Sequence, residues 1–241
     1  MVLIEDKNIV IGEIKYQPNI YNDYKKHFHN HLYLGTIKSG KIKVDFANET
    51  KVVKAKEIVV FNPYQIHKTT NINAKDYYTM CIKSQWLSTN ICEDFYIDDN
   101  IIQNIKLYNL ITQASSINAN LESLKDELKE LSKLNKNAKE EIAGVAKLTR
   151  EYILQNIKFE LNLSLIAKDL GYDKSYIIRE FKKAYSITPK QFITILRANL
   201  AKDKIKEANI SMLAIEHGFF DQSHFNKNFK KIFAYPPKKF K

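Results

Sequence analysis

LSLIAKDLGYDKSYIIREFKKAYSITP (residues 163–189) and SMLAIEHGFFDQSHFNKNFKKIFAYPP (residues 211–237) carry one pattern twice. Each reads as a short apolar helix, a turn in which Gly precedes an aromatic residue, a polar-faced helix ending in Phe-Lys-Lys, and a Pro. Ala167 matches Ala214 and Gly171 matches Gly218, both at an offset of 47. The second turn has one extra residue, Phe220. Beyond it Phe181 matches Phe229 and Pro189 matches Pro237 at an offset of 48. A single insertion that preserves the remaining register marks a repeated supersecondary unit.

A helix, a tight Gly turn and a second helix with a polar outer face describe a helix-turn-helix, whose second helix suits a DNA major groove. The two units are expected over about 163–185 and 211–233. Gly171 and Gly218 stand where a left-handed helix end is inexpensive only for Gly. Ser164 and Ser211 are the expected caps of the first helices, Asp173 and Asp221 those of the second. Ile177 and Phe181 form one inner stripe; Phe219, Phe225, Phe229 and Phe233 form the other, as core and not as a stacking platform. Lys174, Ser175, Ile178, Arg179 and Lys182 lie on the first outer face, and Gln222, Ser223, His224 and Lys227 on the second. Arg179 has the chemistry to grip guanine, with an ion pair to Glu180 as its alternative role. Gln222 suits adenine, and His224 can donate to an acceptor edge. Lys182 and Lys183, with Lys174, Lys230 and Lys231, suit phosphate contacts.

Between the copies, Thr188-Pro189-Lys190-Gln191 is a helix start: Thr as cap, Pro first, Gln completing a capping box. The helix should run over 189–208, roughly 30 Å, close to one DNA turn. Ahead of the copies a helix is expected over 141–156, with Val145, Leu148, Tyr152 and Ile153 inward. The doubled region 163–241 is expected to bind DNA by itself.

Charge divides the chain the same way. Residues 1–143 hold 19 Lys and Arg against 18 Asp and Glu, whereas residues 144–241 hold 19 against 9 and all three arginines. A near-neutral first part and a strongly basic second part point to a polyanionic partner for the second. No apolar run approaches the roughly 20 residues that span a bilayer. The start, MVLIEDKN, lacks a basic region followed by an apolar one. Cys81 and Cys92 have no metal spacing and fit a reduced, cytoplasmic protein without membrane contact.

The first half reads as short strands over about 9–86, alternating in KIKVDFA and punctuated by Gly40, Asn48 and Asn62-Pro63. Strands at this spacing suggest a small antiparallel barrel or jelly roll. His27, His29 and His31 alternate, and His67 follows in NPYQIHKTTN. This resembles the half-motifs of the cupin barrel, whose metal-binding members add a Glu that is absent after His31. Imidazoles can hold a divalent metal. The preferred reading has no metal and no cofactor, with His29, His31 and His67 lining a pocket for a small organic molecule. Helical periodicity then runs over about 100–137. Leu121, Leu124, Leu128, Leu131 and Leu134 form a seam with two readings, packing on its own barrel or contact with a second chain. Residues 131–141 are the expected linker.

The C-terminal residues resemble the DNA-binding domain of the AraC/XylS family of bacterial transcription regulators. The resemblance rests on Ala167, Leu170-Gly171-Tyr172, Arg179-Glu180-Phe181-Lys182-Lys183, Thr188-Pro189 and Arg197. In the second copy it rests on Ala214, Gly218-Phe219, Asp221-Gln222-Ser223-His224-Phe225, Phe229-Lys230-Lys231 and Pro237. It implies an α+β chain of two domains: a cupin-like sensing or dimerisation domain (1–137) and an all-α domain with two helix-turn-helix units (138–241). By position it places base readers at Ser175, Ile178 and Arg179, and at Gln222, Ser223, His224 and Lys227. It implies double-stranded DNA, RNA polymerase, a small-molecule effector and a second copy of the chain as partners of a non-enzymatic transcription activator. Ser186 and Ala234 stand where the family usually has Gly. The competing reading is a cupin-type metal-dependent enzyme with a basic appendage.

Overall fold

The structure is a computed structural model that describes residues 1–19, 26–93, 95–133, 144–206, 208–233 and 235–240. Leu134, most of the expected linker, the 137/138 boundary, the expected helix start at Glu141, and Ala234 lie outside these residues. The chain divides into two compact units. One comprises 1–23 and 29–140, the other 24–28 and 141–241.

The N-terminal unit is built from β1 (Val2–Asp6), β2 (Ile9–Asn19), β3 (Leu32–Ser39), β4 (Lys41–Phe46), β5 (Thr50–Lys54), β6 (Ile58–Phe61), β7 (His67–Asn71) and β8 (Lys75–Ile82). These are followed by α1 (Ser84–Asn90), β9 (Ile101–Ile102), α2 (Ile105–Thr112) and α3 (Leu121–Lys133). Where a small barrel or jelly roll is expected over 9–86, the strands form two antiparallel sheets, ordered β1-β2-β8-β3-β6-β9 and β5-β4-β7, and not one closed barrel. Strand β1 begins before the expected limit and pairs only with β2, and β9 contributes two residues against β6, so the larger sheet keeps open edges among the described residues. In β4 the expected alternation holds: Ile42, Val44 and Phe46 are buried and the residues between are not.

The expected helical stretch is broken into α2 and α3 by two short 3-10 turns, Ala114–Ser116 and Asn118–Asn120. Asn104 caps α2 by accepting from the Leu107 backbone N–H at 2.9 Å. In α3, Leu124 and Leu128 are fully buried and Leu131 nearly so. They join Ile4, Ile11, Ile14, Met80 and Ile82 of the sheet and Leu107 and Ile111 of α2, with Leu121 partly buried against the same core. The leucine seam is thus covered within the chain, and the face α3 leaves outward carries Glu122, Asp126, Lys129, Glu130 and Lys133. A polar clasp fixes its other edge: Trp86 Nε1 donates to Asp6 at 3.0 Å and Lys125 Nζ lies 3.3 Å from the same carboxylate.

The C-terminal unit holds α4 (Val145–Asn156), α5 (Leu163–Leu170), α6 (Lys174–Tyr185), α7 (Pro189–Asp203), α8 (Ile210–Glu216) and α9 (Gln222–Phe233). Helix α4 buries Val145, Ala146, Thr149 and Ile153, a stripe turned from the expected one, so Leu148 is exposed and Tyr152 hydrogen-bonds Asp169. Helix α4 packs on α5, α6 and α7. A fragment starting at residue 163 would therefore lose the packing that α4 supplies. Phe28 also belongs here, buried 4.7 Å from Phe192, its carbonyl accepting from Asn199 Nδ2 at 3.0 Å.

Helix α7 opens with the expected capping box and Pro. It ends after 15 residues, about 22 Å of rise. Lys204 and Ile205 donate back to Ala201 and Lys202 in a tightened turn that buries Ile205. The turn supplies a core residue at the expense of helix length, so the rod alone does not match a DNA turn. No helix among the described residues is long and apolar enough to cross a membrane.

Leu124→Lys together with Leu128→Lys should unfold the N-terminal unit, costing about 4 kcal/mol or more. Urea titration checks this; an unaltered midpoint with a halved mass would return the seam to a contact between chains.

Candidate nucleic-acid interface

The two copies are built alike down to their caps. Asn162 accepts from Leu165 N–H at the start of α5, and Asn209 accepts from Ser211 and Met212 N–H at the start of α8. These two asparagines, at the repeat offset of 47, cap where Ser164 and Ser211 were expected. Asp173 caps α6 through Ser175 N–H (2.7 Å) and Tyr176 N–H (3.2 Å), bonds that hold its carboxyl below the usual range. Asp221 caps α9 through His224 N–H at 2.6 Å.

Helix α6 buries Ile177, Phe181 and Tyr185, with Phe181 edge-on to Phe192 of α7. Lys174, Ser175, Arg179, Lys182 and Lys183 are all exposed on the opposite side, as expected, while Ile178 is only partly so. Arg179 Nε lies 3.0 Å from the Glu180 carboxylate, and its guanidinium stands 5.2 Å from the Tyr176 ring centre. An exposed ion pair of this kind is worth little, so exchanging it for an anionic or guanine acceptor costs little. Tyr176 and its neighbour Tyr172, rings 5.9 Å apart, are exposed on this surface and were not among the expected contacts. The repeat offset of 48 pairs Tyr176 with His224, a signal in the sequence that would have included it.

On α9, Phe225, Phe229, Ile232 and Phe233 are buried, and Ser223, His224, Lys227, Lys230 and Lys231 are exposed. Gln222 is half-buried, its Oε1 accepting from Ser211 Oγ at 2.6 Å, which leaves its amide N–H₂ as the outward group. His224 Nδ1 accepts from the Phe220 backbone N–H at 3.4 Å. With Nδ1 occupied by that N–H, Nε2 is the ring nitrogen left for a base edge.

Arg197 of α7 ties the second turn in place. It donates to the carbonyls of Gly218 (3.2 Å) and Phe159 (3.0 Å). Burial pushes its pKa below the ordinary arginine value, partly offset by Glu160, and its Nε is buried without a partner. Gly218 has φ +70°, and a Cβ there would sit 2.6 Å from Arg197 Nη1. Gly171 has φ +71° with open space around it. Ser186, where a Gly was anticipated, adopts the left-handed conformation itself (φ 59°).

In the N-terminal unit two of the three histidines expected to share a pocket, His29 and His67, come together, and His31 does not. His29 and His67 lie with ring centres 5.2 Å apart, stacked on Tyr33 and Phe61 respectively. His67 Nδ1–H donates to the Gln65 carbonyl at 2.9 Å. His31 faces elsewhere, its Nδ1 accepting from the Ser84 backbone N–H at 3.4 Å. Alternation along the chain predicted one face for His29 and His31, but β3 begins only at Leu32, so the strand rule does not apply to them.

A family model described as a helix-turn-helix domain matches residues 166–241, and one described as an AraC-like ligand binding domain matches residues 13–143. An HTH-type transcriptional regulator from the cgkA 5' region of Pseudoalteromonas carrageenovora is 32% identical over 90 residues. The match covers 37% of this chain and 54% of that protein, so the chain spans about half the length of that relative. The multiple antibiotic resistance protein MarA of Escherichia coli is 31% identical over 93 residues, 38% of this chain and 73% of MarA. The fold is similar to that of ToxT from Vibrio cholerae strain SCE256, crystallised with a bound unsaturated fatty acid. The TM-score is 0.61 at 13% identity, over 98% of this chain and 96% of that one.

The two turn glycines should respond differently to Ala. Gly171→Ala carries the left-handed strain alone, about 1 kcal/mol. Gly218→Ala adds a clash with a guanidinium that cannot move without losing two carbonyl bonds, for a total of roughly 2–3 kcal/mol. Thermal unfolding of the two variants measures the difference, and equal shifts would remove Arg197 from this role.

Proposed function

Because the chain belongs to the AraC/XylS family of transcription regulators, we propose that it binds a specific DNA site through α6 and α9. The two helices are unlike reading heads in successive major grooves, and the bound protein activates transcription from that site. The observation that carries this reading is the doubled helix-turn-helix, whose exposed faces hold Arg179, Lys182 and Lys183 in one copy and His224, Lys227, Lys230 and Lys231 in the other. Ser175, Arg179, Gln222, Ser223, His224 and Lys227 are assigned to base edges; Lys174, Lys182, Lys183, Lys230 and Lys231 are assigned to phosphates. The near-neutral N-terminal unit takes a small-molecule effector; the fatty acid held by ToxT suggests a long-chain carboxylate as the first class to try. RNA polymerase is the protein partner, a second copy of the chain joins at the site, and the protein works in the cytoplasm. The regulators that the chain resembles give the metal-dependent enzyme no support.

Arg179→Ala should weaken specific binding by about 1–3 kcal/mol and relax preference at one base position. Selection from random duplexes tests this; uniform loss across sequences would reassign Arg179 to the backbone. Lys230→Ala should weaken all sequences alike and flatten the slope of log affinity against log salt by about 0.9. Titrations at several salt concentrations read that slope, and an unchanged one would remove Lys230 from the phosphate contacts.

A further inference from the structure

Phe220 is the single residue that distinguishes the second turn from the first, and its side chain is 87% exposed. It stands immediately before the capping Asp221, a position whose apolar side chain often packs back onto the fourth residue of the helix. Here that packing is already made. Phe219, one residue earlier, is buried with its ring 4.9 Å from Phe225 and 5.7 Å from His224. The Phe220 backbone is held too, because its N–H donates to His224 Nδ1 and its neighbours are the buried Phe219 and the capping Asp221. The chain therefore fixes Phe220 in place and sends its ring outward, at the N-terminal end of α9 and beside His224.

The N-terminal end of a recognition helix is the part that meets base edges. Along a major groove nearly every base-edge group is a hydrogen-bond donor or acceptor. The apolar exception is the C5-methyl of thymine, which side chains such as Phe contact. We propose that Phe220 is a specificity-determining residue that reads a thymine methyl next to the base addressed by His224. The inserted residue thereby gives the second head an apolar reader that the first head lacks. In the first copy Tyr172 runs directly into its capping Asp173 with no residue between them. The proposal rests on α9 entering a major groove.

The test begins with the full chain and a duplex selected from a random library. Each thymine of the half-site that α9 occupies is then replaced singly by deoxyuridine, which removes only the methyl. One replacement should weaken wild-type binding roughly fourfold, the worth of one buried methyl group. Phe220→Ala should lose about as much on the thymine duplex and be indifferent to that replacement, while Phe220→Leu should keep part of the sensitivity. If Phe220→Ala retains the wild-type response to every deoxyuridine, or loses affinity equally on all duplexes including random ones, the methyl-reading role is overturned. If His224→Ala selects the same motif as wild type, the underlying placement of α9 fails, and the proposal with it.

Discussion

One half-buried cation organises the C-terminal unit. The Arg197 guanidinium projects from α7 and donates to two backbone carbonyls, Gly218 in the second turn and Phe159 in the connection after α4. Its partners are carbonyl dipoles, so burial shifts it toward its neutral form, yet an arginine does not give up its proton in a protein. The charge must remain satisfied where it is, and this makes the contact directional. The turn carbonyl has to point at α7, which sets the path of the chain into α9. Gly218 is then required twice, once for its positive φ and once because the guanidinium occupies the space of a Cβ. In the first copy Gly171 answers only the first demand. Both turns are closed by their own backbone bonds, and the second is held in addition by a neighbour's charge.

The caps show how a repeat can be preserved while its sequence drifts. Asn162 and Asn209, Gly171 and Gly218, and Asp173 and Asp221 keep their places because each satisfies backbone N–H groups or a backbone angle that any helix end presents. Ser186 shows the tolerance of that rule. It takes a left-handed angle that Gly would take at less cost, at a helix end already closed by its own N–H to the Lys182 carbonyl.

Legibility in the sequence followed the range of the interaction. The capping box at Thr188 and Gln191, the glycine helix ends and the alternation in β4 depend on residues a few positions apart, and all three were readable directly. The two asparagine caps were missed by two residues because Ser is as good a cap as Asn. In helix α4 the expected inner stripe of Val145, Leu148, Tyr152 and Ile153 is turned: Thr149 is buried and Leu148 is exposed, since residue polarity alone does not fix helix phase. The end of α7 depends on Ile205 finding the core, and the split of the strands into two sheets depends on which strands pair at long range. Neither is encoded in a local pattern. For the leucine seam, a helix packed on its own sheet and one packed on a second chain have the same periodicity, and only the position of α3 against Ile4, Met80 and Leu107 separates them. The outward residues of both recognition helices were legible since helix phase is local. Tyr176 was left out because an aromatic residue on a helix reads as core until its neighbours are known.

The reading surfaces diverge where the scaffold permits it. On α6 the N-terminal end offers phenols and a guanidinium, with Tyr172, Tyr176 and Arg179 in one cluster. On α9 the matching end offers an amide, an imidazole whose Nδ1 faces a backbone N–H, and an exposed phenyl ring. Neither set conflicts with a cap, a turn glycine or a buried stripe, since those occupy the opposite faces. A scaffold secured by backbone-directed contacts thus leaves its outer positions free to differ. Two copies of one fold in one chain can then address a site whose halves share no sequence symmetry.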